Sequence, residues 1–380
     1  MSSPIRVGVV GAGQLARMMA ETAAAVGVEI VLLATSHDDA AVALAHQTII
    51  GQPTSLDALR ELSRHCDVIT FDHELVSLPA LAELEAEGVA VRPSAATLAY
   101  SVDKAIQRQR FEAAGLPVPR FLVITDEHDD RIEDFLHSLP APPVVKTATG
   151  GYDGRGVVIP DTLDECRSAI AERCASGTVV LEERVALQME VAQMVVRSVA
   201  GDIALYPVVT TVQVDGMCAE VNYPTILGDE RCAQASVLTA QIAELVDLVG
   251  VMAVEYFVTP EGLWINELAI RPHNSGHWTI EGCATSQFAN HLLAVSGQTI
   301  GDTSPIVANA VMVNVVGGPT PGSIELATAV PGAFVHDYGK SWRPGRKLGH
   351  VTAVGDDFDA AEVTAWKSAR AYGTQSQETL

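Results

Sequence analysis

Positive charge is scarce in this chain. Across 380 residues, 24 Lys and Arg stand against 47 Asp and Glu, a net charge of −23. That balance argues against nucleic acid or an anionic membrane surface as partner. Small anionic substrates stay open, because they need only a local basic cluster. The six cysteines, at positions 66, 166, 174, 218, 232 and 283, form no C-x-x-C pair and no metal-ligand spacing. They read as reduced thiols of a cytoplasmic protein. No apolar run is long enough to span a bilayer. Arg6 is followed by Gly-rich sequence rather than the apolar core of a signal peptide. Internal repeats and long low-complexity segments are absent too. What is plentiful is apolar residue, 48%, and glycine, 30 residues, which at this length suit an α/β protein of two or three domains.

The chain begins with an apolar run, Ile5 to Val10, then Gly11-Ala12-Gly13 and a helix opening at Gln14. Strand, glycine turn and helix make the first unit of a doubly wound sheet. A dinucleotide site would need an acid closing the second strand. Glu29 to Ala34 runs instead into Thr35-Ser36, which counts against a nicotinamide cofactor. The turn reads either as a plain tight turn or as a loop holding one phosphate on helix N-terminal amides. The strand Asp67 to Phe71 ends in Asp72-His73-Glu74, where open α/β sheets bind ligands, although Asp72 and His73 read as polar loop. The first domain is expected to end at Arg92-Pro93-Ser94. Lys104 falls in a helix stopped at Gly115.

Lys146 closes a short strand and opens a glycine-rich stretch. Gly150, Gly151, Gly154 and Gly156 put four glycines in seven residues, with Tyr152, Asp153 and Arg155 among them and Val157 following. Such a loop brings backbone N–H groups close to phosphate oxygens and is expected to move as a lid. A strand from Thr178 leads to Glu182-Glu183-Arg184-Val185, and Glu190 lies eight residues beyond Glu182. Strands over 191–199 and 203–209, helices over about 236–248 and 285–295, and a disordered tail after about Tyr372 complete the reading.

The stretch from Val251 to Thr279 holds the strongest chemical signal. Two strand-like runs flank Thr259-Pro260-Glu261-Gly262, which reads as a three-residue hairpin loop. Pairing Thr259 with Leu263 sets Glu255 opposite Glu267, with Cβ atoms roughly 5 Å apart. Two carboxylates on otherwise apolar strands repel, and a hard divalent cation such as Mg²⁺, shared with substrate phosphates, would relieve them. A different loop length would put the acids on opposite faces. Asn266, Arg271, His273, Asn274 and His277 crowd the same strand exit. Further on, Lys340, Arg343, Arg346 and Lys347 place four cations in eight residues of an acidic chain, either an anion site or a solvated turn around Pro344-Gly345.

Taken together, Lys146, GGYDGRG, Glu182 to Val185, Glu190, Glu255 and Asn266-Glu267 resemble the ATP-grasp ligases. Within them, GQLARM, GGYDGRG, RPHNSGHW and GRKLGH resemble the N5-carboxyaminoimidazole ribonucleotide synthases of purine biosynthesis, from about Ile5 to His350. The resemblance implies an α/β ATP-grasp fold behind a Rossmann-like domain, divided at 1–94, 95–190 and 191–380. It implies ATP and Mg²⁺ as cofactors, and bicarbonate and aminoimidazole ribonucleotide as substrates joined through carboxyphosphate in a cytoplasmic homodimer.

The resemblance also assigns residues. ATP would be held by Lys104, Lys146, Gly151 to Val157, Glu182, Glu183, Arg184, Val185, Glu190, Gln213 (His in some relatives), Asn266 and Glu267. The metal would lie on Glu255 and Glu267. The ribonucleotide and bicarbonate would meet Gln14, Leu15, Glu74, Tyr152, Arg271, Asn274, Ser275, Lys340, Arg346 and Lys347. Arg271, Asp153 and Lys347 would be catalytic. A formate-dependent glycinamide ribonucleotide transformylase is the alternative, sharing the ATP and metal residues.

Overall fold

The computed structural model describes residues 4–151, 156–214 and 216–374. Three sheets follow one another along the chain among the described residues. The first is parallel, built from β1 (Ile5–Val10), β2 (Val28–Ala34), β3 (Gln47–Ile50) and β4 (Val68–Phe71) in the order β3-β2-β1-β4. Its central strands are apolar on both faces because helices cover both. The second is antiparallel, with β5 (Phe121–Ile124), β6 (Val144–Thr147), β7 (Val157–Val158) and β8 (Val179–Glu182) in the order β5-β8-β6-β7. It packs on helices Arg131–Ser138 and Leu163–Cys174 around its own small core.

The third sheet has nine strands: β9 (Met189–Arg197), β10 (Ile203–Leu205), β11 (Val209–Val214), β12 (Met217–Tyr223), β13 (Gly250–Thr259), β14 (Gly262–Ala269), β15 (Asn309–Val316), β16 (Ala333–Asp337) and β17 (Lys347–Gly355). They run in the order β14-β13-β9-β11-β12-β15-β17-β16, with β10 beside β9. β9 and β13 pair over nine residues and share a buried apolar seam.

Two elements tie the first sheet to the third. One is His291 on helix Gln287–Val295. Its Nδ1 accepts from Val251 N at 3.1 Å, and its Nε2 lies 2.8 Å from Thr70 Oγ1. Burial pushes the imidazole pKa down to about 3, so it is a neutral bridge. The other is helix Ala95–Val102, whose Thr97 Oγ1 donates to Val246 O at 2.8 Å.

Several expectations need correction. The helix read as starting near Ser236 starts at Asp229 and ends at Leu245, with Asp229 and Glu230 in its first turn. Acids are favoured there by the helix dipole. The meander forms as read, with β10 antiparallel to β9 across the turn at Gly201-Asp202, but β9 already stops at Arg197, β10 stops at Leu205, and Val209 opens a separate strand, β11. A C-terminal helix, Phe358–Tyr372, is capped by Asp357 and ended by Gly373 at φ 111°. Just beyond it, Thr374 bridges Gly317, and its Oγ1 accepts from Val316 N at 3.0 Å, so the chain is pinned at the point where a loose tail was expected. The remainder of that tail, 375–380, lies outside the described residues.

Candidate active site

The hairpin β13–β14 brings the two acids together by an unexpected route. Thr259 faces Gly262, so the turn is the two residues Pro260-Glu261 and not three. Continued without interruption, that register would oppose Glu255 to Asn266 and send Glu267 to the other face. A β-bulge between Glu255 and Tyr256 shifts the pairing by one residue, and Glu255 faces Glu267 after all. Bulges re-aim side chains in this way, at the expense of local pairing.

The charges around the pair are uneven. Lys104 Nζ, on the first turn of helix Lys104–Ala113, donates to Glu267 Oε1 at 2.6 Å. Burial would raise Glu267, but Lys104, with help from Lys146 and Arg108, holds it below the usual carboxylate range. Glu255 is shifted the other way. Burial first, then the charges of Glu267 and Glu190, push it up to about 8, against the pull of Lys104 and Lys347. His273 Nε2 lies 3.6 Å from Glu255 Oε1. Burial, with Arg271 and Lys347 nearby, lowers that imidazole to about 3, so it is neutral and no counterion. Asn266 Nδ2 approaches Glu255 only to 3.5 Å. An opposed carboxylate pair, with one member short of positive charge, is a donor set that fits a hard divalent cation. Among the described residues no three His, Cys, Asp or Glu side chains gather to hold a metal unaided.

Behind the hairpin lies a buried ion triplet. Glu182, at the end of β8, accepts from Arg108 Nε at 2.6 Å and from Lys146 Nζ at 2.5 Å. Burial works to raise Glu182, yet Arg108 and Lys146 hold it at about 2. Its backbone pairs with Phe121 and Val144 on the two sides, so the expected hinge leaves the sheet after it. Glu183 N donates to Arg120 O at 2.8 Å, and its carboxylate takes two bonds from Arg120, at 2.7 and 3.0 Å. Arg184 is exposed, 3.9 Å from Asp161, and Val185 O accepts from Leu187 N. Glu190 faces Thr211 on one side and Phe257 on the other. Burial raises its pKa, and a hydrogen bond with Gln213 opposes the rise.

Gly151, Gly156 and Val157 edge the glycine-rich stretch. Val157 pairs with Lys146, and Gly156 O accepts from Thr147 N at 2.9 Å. Gly156 holds φ +82°, and a Cβ there would meet Thr147 Oγ1 at 2.5 Å. Tyr152, Asp153, Gly154 and Arg155, with their expected lid and catalytic roles, lie outside the described residues.

Some of the expected ribonucleotide residues meet beside the first sheet, and others lie on or next to the third. Lys340 Nζ donates to Gln14 Oε1 at 2.5 Å, joining positions 326 residues apart. Arg271 Nε lies 2.8 Å from Glu74 Oε2, though not aligned as a hydrogen bond, while its NH1 donates to Pro272 O at 3.0 Å. Asn274 Oδ1 accepts from Asn314 Nδ2 at 2.7 Å. Arg346 donates to Ser341 Oγ at 2.8 Å on the exposed turn. Lys347, at the start of β17, is close enough to Glu255 and His273 for its charge to act on both. Leu15 turns elsewhere, 5% exposed within a core cluster, whereas Ser275 is fully buried with its hydroxyl 3.0 Å from His273 Nδ1 and 3.7 Å from Met194 Sδ.

Of the two readings of the glycine turn, the plain tight turn is favoured, because Asp72 occupies two of the amides that open helix Gln14–Ala23. Asp72 Oδ2 accepts from Gly13 N at 2.6 Å, and Oδ1 accepts from Ala16 N at 2.9 Å. A buried carboxylate already provides the negative charge that the helix end favours, and it would repel a phosphate. Asp72 is therefore a cap and not loose polar loop.

Arg108 is the functional-site residue that sequence reasoning missed. It is 2% exposed and links Glu182 to the Asn266 carbonyl, to which its NH2 donates at 2.7 Å. A signal was available, since Lys104, Arg108 and Phe111 share one helix face by their i, i+4, i+7 spacing.

Comparison with known proteins covers all three sheets. The family description "Ribonucleotide synthetase preATP-grasp domain" matches residues 5–101, "ATP-grasp domain" matches 109–288, and "Phosphoribosylaminoimidazole carboxylase C-terminal domain" matches 310–364. An N5-carboxyaminoimidazole ribonucleotide synthase of Mycobacterium tuberculosis is 45% identical, over 95% of this chain and 87% of the relative. The N5-carboxyaminoimidazole ribonucleotide synthetase structure from Thermus thermophilus superposes with a TM-score of 0.89 at 31% identity, covering 98% of this chain and 100% of that one. The Aspergillus clavatus synthase, solved with ADP and 5-aminoimidazole ribonucleotide, gives 0.88 at 29% identity, over 98% and 99%. With its opposed acid pair, buried ion triplet and basic strand end on a scaffold shared from end to end, the chain belongs to the N5-carboxyaminoimidazole ribonucleotide synthase family of ATP-grasp ligases.

Proposed function

We propose that this chain carboxylates 5-aminoimidazole ribonucleotide with bicarbonate at the expense of ATP, through carboxyphosphate, and that the residues gathered above divide the work. The observation that carries this is the Glu255–Glu267 opposition beside Lys104. Magnesium, which Glu255 and Glu267 would hold, would supply charge neutralisation during phosphoryl transfer. Lys104 would leave Glu267 for a phosphate, and Lys146 would reach the same group from β6. The hinge past Glu182 would hold adenine by its main chain, and Glu190 with Gln213 would accept the ribose. Asn266 would stand beside the metal carboxylates.

On the other side of the cleft, Arg271, positioned against Glu74, would grip bicarbonate and the carboxyphosphate formed from it. Gln14 and Lys340 form one end of the ribonucleotide site. Lys347 stands between this site and the acid pair, so its charge serves both substrates. Asn274, Ser275 and Arg346 would complete the site, with Leu15 contributing backbone only. The glycine-rich stretch would close over the phosphates. The division at 1–94, 95–190 and 191–380 would then separate ribonucleotide support, lid and catalytic sheet. We further place the enzyme in the cytoplasm as a homodimer, in keeping with its free cysteines and the lack, among the described residues, of any helix long and apolar enough to cross a membrane.

The test is ADP release with each acceptor in turn. Aminoimidazole ribonucleotide should support turnover only when bicarbonate is present. Turnover with glycinamide ribonucleotide and formate would assign the chain to the transformylases instead.

A further inference from the structure

The bulge that sets the acid pair has a dedicated support. Asn266 is the extra residue on β14, and its displacement makes Glu267 face Glu255. A bulged residue loses regular ladder partners, so its carbonyl needs another donor. That donor is Arg108 NH2, at 2.7 Å. The guanidinium is fixed on its other edges: Nε donates to Glu182 Oε2 at 2.6 Å and NH1 to Gln107 Oε1 at 2.8 Å. Gln107 is fixed in turn, its Nε2 donating to Tyr100 O at 2.8 Å. Arg108 is 2% exposed and Gln107 likewise, so neither bond is exchanged with solvent.

We infer that Arg108 is a positioning residue for the metal site: it clamps the Asn266 bulge and so holds Glu267 in register with Glu255. The chemistry favours arginine here. A planar guanidinium can bond a carboxylate and a carbonyl on different edges at once, whereas an ammonium is a single point that cannot span both. Glu182 fixes the charge, and the carbonyl contact carries the positional information. The clamp also joins the hinge end of β8 to the acid end of β14 through one side chain. This inference rests on reading Glu255 and Glu267 as the metal ligands.

The test uses Arg108→Lys and Arg108→Met in the full chain, with Mn²⁺ as the metal probe. Mn²⁺ binding in the presence of ADP is followed by electron paramagnetic resonance, and aminoimidazole ribonucleotide binding by calorimetry. Arg108→Lys keeps a cation beside Glu182 and should fold, so it carries the decision even if Arg108→Met does not fold. Its Mn²⁺ affinity should fall at least about tenfold, while ribonucleotide affinity stays within about twofold. Hydrogen exchange over residues 264–268 should quicken. Unchanged Mn²⁺ affinity in Arg108→Lys overturns the inference, and so does an equal loss of affinity for metal and ribonucleotide, which would mean general support only. Glu267→Gln is the control for the underlying reading. If it binds Mn²⁺ like the wild type, the metal assignment itself is wrong, a result distinct from failure of the Arg108 clamp alone.

Discussion

At the scale of single residues, the site depends on charges placed where water cannot relieve them. Glu182 is the clearest case. Its folded pKa of about 2 lies below the ordinary 4.5, so the unfolded chain takes up the proton first as pH falls. The stability it contributes is whole above about pH 4.5 and is lost progressively toward pH 2, on the order of 3 kcal/mol. Glu182→Gln should flatten that part of the acid limb. It should also lower stability at pH 7 by about 3–5 kcal/mol, because Arg108 and Lys146 are left buried without their counterion. Urea midpoints of both proteins from pH 3 to pH 7 check this, and parallel curves would contradict it. Lys340→Ala addresses the other side of the cleft. Losing the cation that meets Gln14 should weaken ribonucleotide binding about tenfold, or ~1.4 kcal/mol, with Mg-ATP affinity unchanged. Titration calorimetry with each ligand decides it, and a parallel loss of ATP affinity would count against the assignment. The Lys347 charge acts on Glu255, so Lys347→Ala should disturb both ligands.

At the scale of elements, the hairpin shows what a sequence reveals and what it hides. Opposed acids on two apolar runs were legible, because alternation along strands is regular and Thr-Pro-Glu-Gly marks a turn. The loop length was misread, and only the bulge at Asn266 restored the expected pairing. Bulges arise from tertiary support, here Arg108, whose one local signal is the helix face it shares with Lys104 and Phe111. Arginine in a polar helix ordinarily reads as solvent-facing, so its burial emerges only when β8 and β14 pack against that helix. The Gly11-Ala12-Gly13 turn was ambiguous for a similar reason. Its resolution lies in Asp72, far along the chain. Asp72→Ala should cost about 1–2 kcal/mol through loss of the cap, with no change in ATP affinity. A loss of ATP affinity in thermal-shift titrations would reopen the phosphate reading of that turn. In contrast, the cap residues of helix Phe358–Tyr372, Asp357 and Gly373, were readable signals that were passed over. Gly156 belongs at this scale as well. At φ +82° and with Thr147 Oγ1 2.5 Å from any Cβ, Gly156→Ala should displace the edge of the glycine-rich stretch. The expected result is a raised KM for ATP with the ribonucleotide KM unchanged.

At the scale of the whole molecule, the proposed site is a meeting of all three sheets. Gln14 and Glu74 come from the first, Lys146 and Glu182 from the second, and Glu255, Glu267 and Lys347 from the third. His291 joins the first sheet to the third at positions no local pattern connects, which is why the sequence suggested the parts more readily than their assembly. In the proposed function the opposed acids of the hairpin hold the metal for ATP-dependent carboxylation. The most direct measurement is bicarbonate-dependent ADP release by Glu267→Gln across a Mg²⁺ titration, alongside its unfolding curve. The substitution removes a ligand and also relieves repulsion with Glu255, so the fold should persist while turnover nearly vanishes at every Mg²⁺ concentration. Wild-type turnover at saturating Mg²⁺ would contradict the claim.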